Sequence, residues 1–121
     1  MNRTELAAQI RVALASHAMW KHHLEAAIRT GRAARPADEV RREDRCAFGA
    51  WLLGLEPLRA VPQFGEVREL HARFHEEAAR VLELAVAGQA VAAAQAMAER
   101  GRFERASRDL REALERWAAA G

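Results

Sequence analysis

Apolar residues recur along most of this chain at steps of three and four, the spacing of one helix face, and nowhere alternate as they do along a strand. From Thr4 to Thr30 the stripe Leu6, Ile10, Leu14, His17, Lys21, Leu24 and Ile28 predicts a first helix, with Gly31 as its C-terminal cap. Arg35-Pro36, followed by Asp38 and Glu39, reads as a second helix start, because proline fits a first turn and acids complement the dipole there. That helix is expected to run to about Leu55, where Pro57 and Pro62 in LEPLRAVP break it. From Phe64 onward Val67, Leu70, His71, Phe74, His75, Ala78, Val81, Leu82 and Ala85 form the cleanest amphipathic stripe, punctuated by Gly88. A fourth helix carries Val91, Ala94, Ala98, Leu110, Leu114 and Trp117, with a kink expected at Gly101. Four helices with short connections predict an all-α fold, an antiparallel four-helix bundle running up-down-up-down.

A chain of 121 residues is expected to form one stand-alone domain spanning residues 1–121. Half of it is apolar and 30% is charged, which excludes a disordered polypeptide. The longest uncharged run, Leu84 to Ala98, is shorter than the ~20 residues of a membrane span, and MNRTELAAQIRV lacks the apolar core of an export signal. With a single cysteine, Cys46, no intrachain disulfide can form, and the expected location is cytoplasmic. The basic pI of 9.4 does not point to nucleic acid. All basic residues but Lys21 are arginines interleaved with acids, as in RREDR and ERGRFERASRDLRE, the pattern of a solvated mixed-charge surface. Neither a nucleic acid nor a membrane is expected as a partner.

Candidate chemistry rests on five histidines and the one thiol. His71 and His75 lie four apart on the apolar face of the third helix, so their rings project from the same side at a separation one metal ion can bridge. His17 sits on the inward stripe of the first helix, where a lone neutral imidazole would be an unsatisfied polar group. At ~1.5 Å of rise per residue, His17 lies roughly 20 Å before the end of the first helix and Cys46 roughly 14 Å past the start of the second. In an antiparallel pair those depths fall in adjacent layers, and the same count from the opposite turn brings Cys46 level with His71 and His75. One thiolate and three imidazoles make a tetrahedral set for Zn²⁺ that leaves a site of only +1 charge, with Glu43 and Asp44 as candidate outer partners. His22 and His23 are expected to be exposed or partly packed, Trp20 and Trp51 in packing roles, and Lys21 snorkelling outward. Gly49 inside a helix predicts a close helix contact near the metal.

The runs His17-Ala18-Met19-Trp20-Lys21-His22-His23-Leu24, Cys46-Ala47-Phe48-Gly49-Ala50-Trp51-Leu52 and His71-Ala72-Arg73-Phe74-His75 together resemble the chemoreceptor zinc-binding (CZB) domain family, whose motifs H-x-x-W-K-x-x-L, C-x-[FL]-G-x-W and H-x-x-x-H occur in this order. The resemblance covers nearly the whole chain. It implies a helical bundle with a buried zinc ion held by His17, Cys46, His71 and His75. It also implies a sensory role in which zinc occupancy or oxidation of the ligand cysteine adjusts output. Family members usually sit beside a chemoreceptor signalling region or a diguanylate cyclase; no such segment occurs here, so the implied partner acts in trans, and a homodimer is a further expectation.

The reading is therefore a cytoplasmic zinc-binding sensory module, not an enzyme, responding to zinc availability or to oxidation of Cys46 by an agent such as hypochlorous acid. The alternative is a purely structural zinc that ties together an interaction or dimerisation domain. A zinc hydrolase would need an open coordination position and an inward carboxylate base. A di-iron carrier would need several inward acids, whereas Glu76 and Glu77 lie off the His75 face. Haem would leave the thiol and the other histidines unexplained.

Overall fold

The computed structural model describes residues 2–54 and 61–120, and every regular element among them is helical. Helix α1 spans Arg3–Thr30, α2 Ala37–Arg41, α3 Ala47–Leu53, α4 Pro62–Val86, α5 Ala90–Met97 and α6 Arg102–Ala120, with a 3₁₀ turn at Glu43–Arg45 between α2 and α3. The molecule is an all-α bundle in which two long continuous helices, α1 and α4, lie beside two segmented ones.

Local chemistry explains the ends of the long helices. Asn2 caps α1 by accepting the Glu5 amide at 2.8 Å, and Gly31 closes it in the left-handed region at φ 72°, donating its amide to the Ala27 carbonyl. Pro62 does more than end what precedes it: it occupies the first turn of α4, where its missing N–H costs nothing. The expected end of the second helix near Leu55, and Pro57, lie outside the described residues.

Two expected helices are broken. The stretch from Pro36 onward is not continuous, because Arg42 (ψ 105°) and Cys46 (ψ 147°) are extended and separate α2, the 3₁₀ turn and α3. The fourth helix is interrupted between Met97 and Arg102. Gly101 marks this break and not a mere kink, since a Cβ there would lie 2.2 Å from the Ala96 carbonyl oxygen. The interruption uncouples the two halves of the stripe. Leu110, Leu114 and Trp117 are buried as expected, but Val91 is exposed, Ala94 and Ala98 face solvent, and Ala93 is the residue of α5 that enters the core.

Helix α4 occupies the centre, packing against α1, α2, α5 and α6. Its pairing with α6 is antiparallel, as the ion pairs Glu66–Arg116, Arg73–Asp109 and Glu77–Arg102 show in sequence. Its pairing with α2 is antiparallel too, so the chain from Val40 to Cys46 descends alongside the turn that carries His75 and then His71. The stripe on α1 rotates slightly from expectation: Ala13 and Ala27 are fully buried, Leu14 and Ile28 partly, and Lys21 is exposed. Phe74, Phe103, Leu24, Leu52, Leu110 and Leu114 fill the interior.

Candidate metal centre

Three separate segments deliver their polar groups to one point in the interior. His17 comes from the middle of α1, Cys46 from the residue that starts α3, and His71 and His75 from successive turns of α4. The histidines are 7%, 1% and 2% exposed, far less than such a polar ring tolerates without partners, and Cys46 is partly buried. Their candidate ligand atoms all lie within 4.8 Å of one another.

The individual distances are informative. Cys46 Sγ stands 3.4 Å from His71 Nε2 and 3.8 Å from His17 Nε2, while His71 Nε2 and His75 Nε2 are 3.1 Å apart. Tetrahedral bonds of about 2.3 Å to sulfur and 2.0–2.1 Å to nitrogen place sulfur and nitrogen donors about 3.5 Å apart, and two nitrogens about 3.3 Å apart. These three separations lie near the tetrahedral values, and the wider spread of the whole set, up to 4.8 Å, calls for the donors to close in on a bound ion.

The ring orientations are fixed from behind. His75 Nδ1 donates to the Val40 carbonyl at 2.9 Å, which puts its proton on that side and leaves Nε2 bare toward the other donors. His17 lies edge-on to Phe48, Phe74 and His71. Its Nδ1 is buried with no hydrogen bond formed among the described residues. Cys46 is also the N-cap of α3, its sulfur accepting the Gly49 amide at 3.4 Å. Gly49 makes the approach possible: a Cβ there would lie 1.8 Å from the Glu43 carbonyl oxygen and 3.0 Å from the His71 ring.

Burial sets the protonation of the metal-free cluster. It pushes His71 down to about 2, with the neighbouring His75 and His17 adding to the effect. It pushes His17 down to about 4, His75 contributing and the Ala13 carbonyl opposing. His75 is lowered by burial against the opposing Val40 hydrogen bond. The rings are therefore neutral, as metal ligation requires. Burial raises the Cys46 thiol, the Gly49 and Phe48 amides partly offset this, and the Glu43 charge adds to it. A cation beside the sulfur reverses that preference.

Of the expected outer partners, neither Glu43 nor Asp44 hydrogen-bonds a ring of the cluster. Asp44 takes Arg42 in two hydrogen bonds, at 2.9 and 3.2 Å. Glu43 Oε2 is buried without a hydrogen-bond partner among the described residues, and burial raises its carboxyl against the opposing charge of Arg68. The partner sequence reasoning missed is the Val40 carbonyl, a backbone group with no residue-type signal. Glu76 is exposed and paired with Arg41, and Glu77 turns away from the histidines toward Arg102 at 3.2 Å. Glu77 is nonetheless buried, which its place off the histidine face did not suggest. His22 and His23 are exposed, the latter against the Trp20 ring. Trp20 also approaches His75, with ring centroids 6.5 Å apart, and Trp51 packs on Phe48.

A family model described as the chemoreceptor zinc-binding domain matches residues 17–82, from the first histidine of the cluster to seven residues beyond the last. No curated protein and no solved structure was found to match the chain.

Proposed function

The chain belongs to the chemoreceptor zinc-binding domain family, and from that membership we propose that it is a zinc-binding sensory module, with His17, Cys46, His71 and His75 as the ligands. The observation that carries this reading is the convergence of one thiol and three buried imidazoles within 4.8 Å, with the Cys46–His71 and His71–His75 separations close to tetrahedral values. Bound zinc would hold Cys46 as thiolate and join α1, α4 and the start of α3 through one point. Four donors from the protein leave no position for a reacting water, so the module has no catalytic step of its own.

Cys46 is the responsive member. It is the least buried of the four, and its sulfur is the one donor that changes chemically under mild oxidation. With hypochlorous acid the thiolate gives up two electrons: an S–Cl bond forms as hydroxide leaves, water displaces chloride, and the net change is RS⁻ + HOCl → RSOH + Cl⁻. The sulfenic acid is a poorer donor, and α3 loses its tie to α4. In this reading the module works in the cytoplasm and passes its state in trans to a chemoreceptor or diguanylate cyclase.

Metal analysis of the purified protein should give one zinc per chain, and Cys46→Ser and His71→Ala should each abolish stoichiometric binding. One equivalent of hypochlorous acid should release zinc in step with a single added oxygen on Cys46, read by a chromogenic chelator and by intact mass. Zinc retained at full stoichiometry by both variants would refute the ligand assignment. Cooperative unfolding on chelation would favour a purely structural ion, whereas a folded metal-free state supports sensing.

A further inference from the structure

Helix α2 is too short to hold its own position. It has five residues and no side-chain hydrogen bond at its N-cap, Pro36, and a single turn does not persist without tertiary support. Yet its Val40 carbonyl must stand 2.9 Å from His75 Nδ1 to keep the other ring nitrogen bare. The buried Val40 side chain, 3% exposed, fixes how deep α2 sits, but apolar burial has no direction and does not fix where the carbonyl lies along α4.

Arg41 supplies that direction. Its Nε donates to Glu76 at 3.1 Å, one Nη to Asp38 at 3.0 Å and the other to Glu83. Glu76 directly follows His75, so the Arg41 side chain is anchored beside the residue that meets the Val40 carbonyl. Glu83 lies two turns further along the same helix and prevents sliding. Exposed ion pairs contribute little individually, but a planar guanidinium serving three carboxylates through separate nitrogens constrains geometry in a way a point charge does not.

We propose that Arg41 is a positioning residue for the metal centre: by clamping α2 to Glu76 and Glu83 it holds the Val40 carbonyl on His75 Nδ1 and so selects the tautomer whose Nε2 is free to bind zinc. The inference rests on the zinc-site reading above. When the clamp is released the carbonyl drifts, the His75 proton is free to move to Nε2, and that nitrogen cannot ligate until the proton moves back.

The test uses the full chain, with two readouts: the ¹⁵N tautomer signature of His75 in the metal-free protein, and zinc affinity by competition with a chromogenic chelator. The wild type should show His75 protonated on Nδ1. Arg41→Gln should show a tautomer mixture and a ten- to hundredfold loss of affinity, the range for removing outer support of a ligand. Arg41→Lys should fall between, and Glu76→Gln with Glu83→Gln should reproduce Arg41→Gln and add little to it. If Arg41→Gln does not fold, Glu83→Gln alone carries the test, with a smaller change in the same direction. An unchanged His75 signature in Arg41→Gln, or in Glu83→Gln where that variant is needed, overturns the proposal whatever happens to affinity. His75→Ala separates the two readings. If it loses zinc while Arg41→Gln binds like wild type, the positioning role alone falls; if it binds zinc as tightly as wild type, the ligand assignment falls and the positioning role with it.

Discussion

At Gly49 two rules compete. Helix propensity favours alanine over glycine by about 1 kcal/mol in a helix interior. The packing forbids it, because the added methyl would sit 1.8 Å from the Glu43 carbonyl oxygen, a backbone atom with no rotamer to escape into. Overpacking of this kind costs about 1–3 kcal/mol and sometimes more, so the steric effect wins. Gly49→Ala should destabilise the fold by about that amount, read as a lower urea midpoint, and weaken zinc binding, since the same methyl presses on the His71 ring; a midpoint at or above wild type would contradict the close approach. The three histidines of the cluster were legible in the sequence for a related reason, and Cys46 as the chain's one thiol. Polar residues at positions whose neighbours are apolar stand out, and His17, His71 and His75 all interrupt helix stripes. Glu77 was not legible, because its partner Arg102 lies 25 positions away and nothing local announces the pair.

Helix α3 begins on the same sulfur that faces the imidazoles, which separates two contributions of Cys46. As an N-cap it can be replaced by serine, a stronger capping residue, but not by alanine. In the metal-free protein Cys46→Ser should leave stability within about 0.5 kcal/mol of wild type, and Cys46→Ala should cost about 1 kcal/mol. Neither should bind zinc stoichiometrically. Thermal melts of the chelated proteins distinguish them, and identical melts would show that the cap contributes nothing. The same cap explains why the second helix was read as continuous. No glycine or proline lies between Arg42 and Cys46, so the sequence carries no breaking signal. The interruption comes from tertiary demands: Val40 must turn its carbonyl to His75, and Cys46 must turn its sulfur to His71. The long helices were legible because their apolar period is uninterrupted and their ends carry Gly31 and Pro62. In α5 and α6 each half has its own period, and running one stripe through the Met97–Arg102 break placed Val91 and Ala94 on the wrong side.

Across the bundle, α4 joins the cluster to α6 through opposite faces of one rod. At 100° per residue, Arg73 and Glu77 project about half a turn away from His71 and His75, and they, with Glu66, meet Asp109, Arg102 and Arg116 of α6. Glu77 is the buried member, its side chain 9% exposed against 64% for Arg102. Removing the arginine leaves a largely desolvated carboxylate, so Arg102→Ala should destabilise the fold by about 1–2 kcal/mol, less than for a fully buried pair because one partner is wet. Its zinc stoichiometry should be unchanged; loss of both together would mean the two faces are not separable. Because the imidazoles and the ion-pair ladder ride on one rigid shaft, α4 cannot turn to tighten or release its histidines without sweeping the charges on its far side past α6. A few degrees of axial roll at the core would thereby be written on the outer surface as a change in which arginines are masked, far from the buried sulfur.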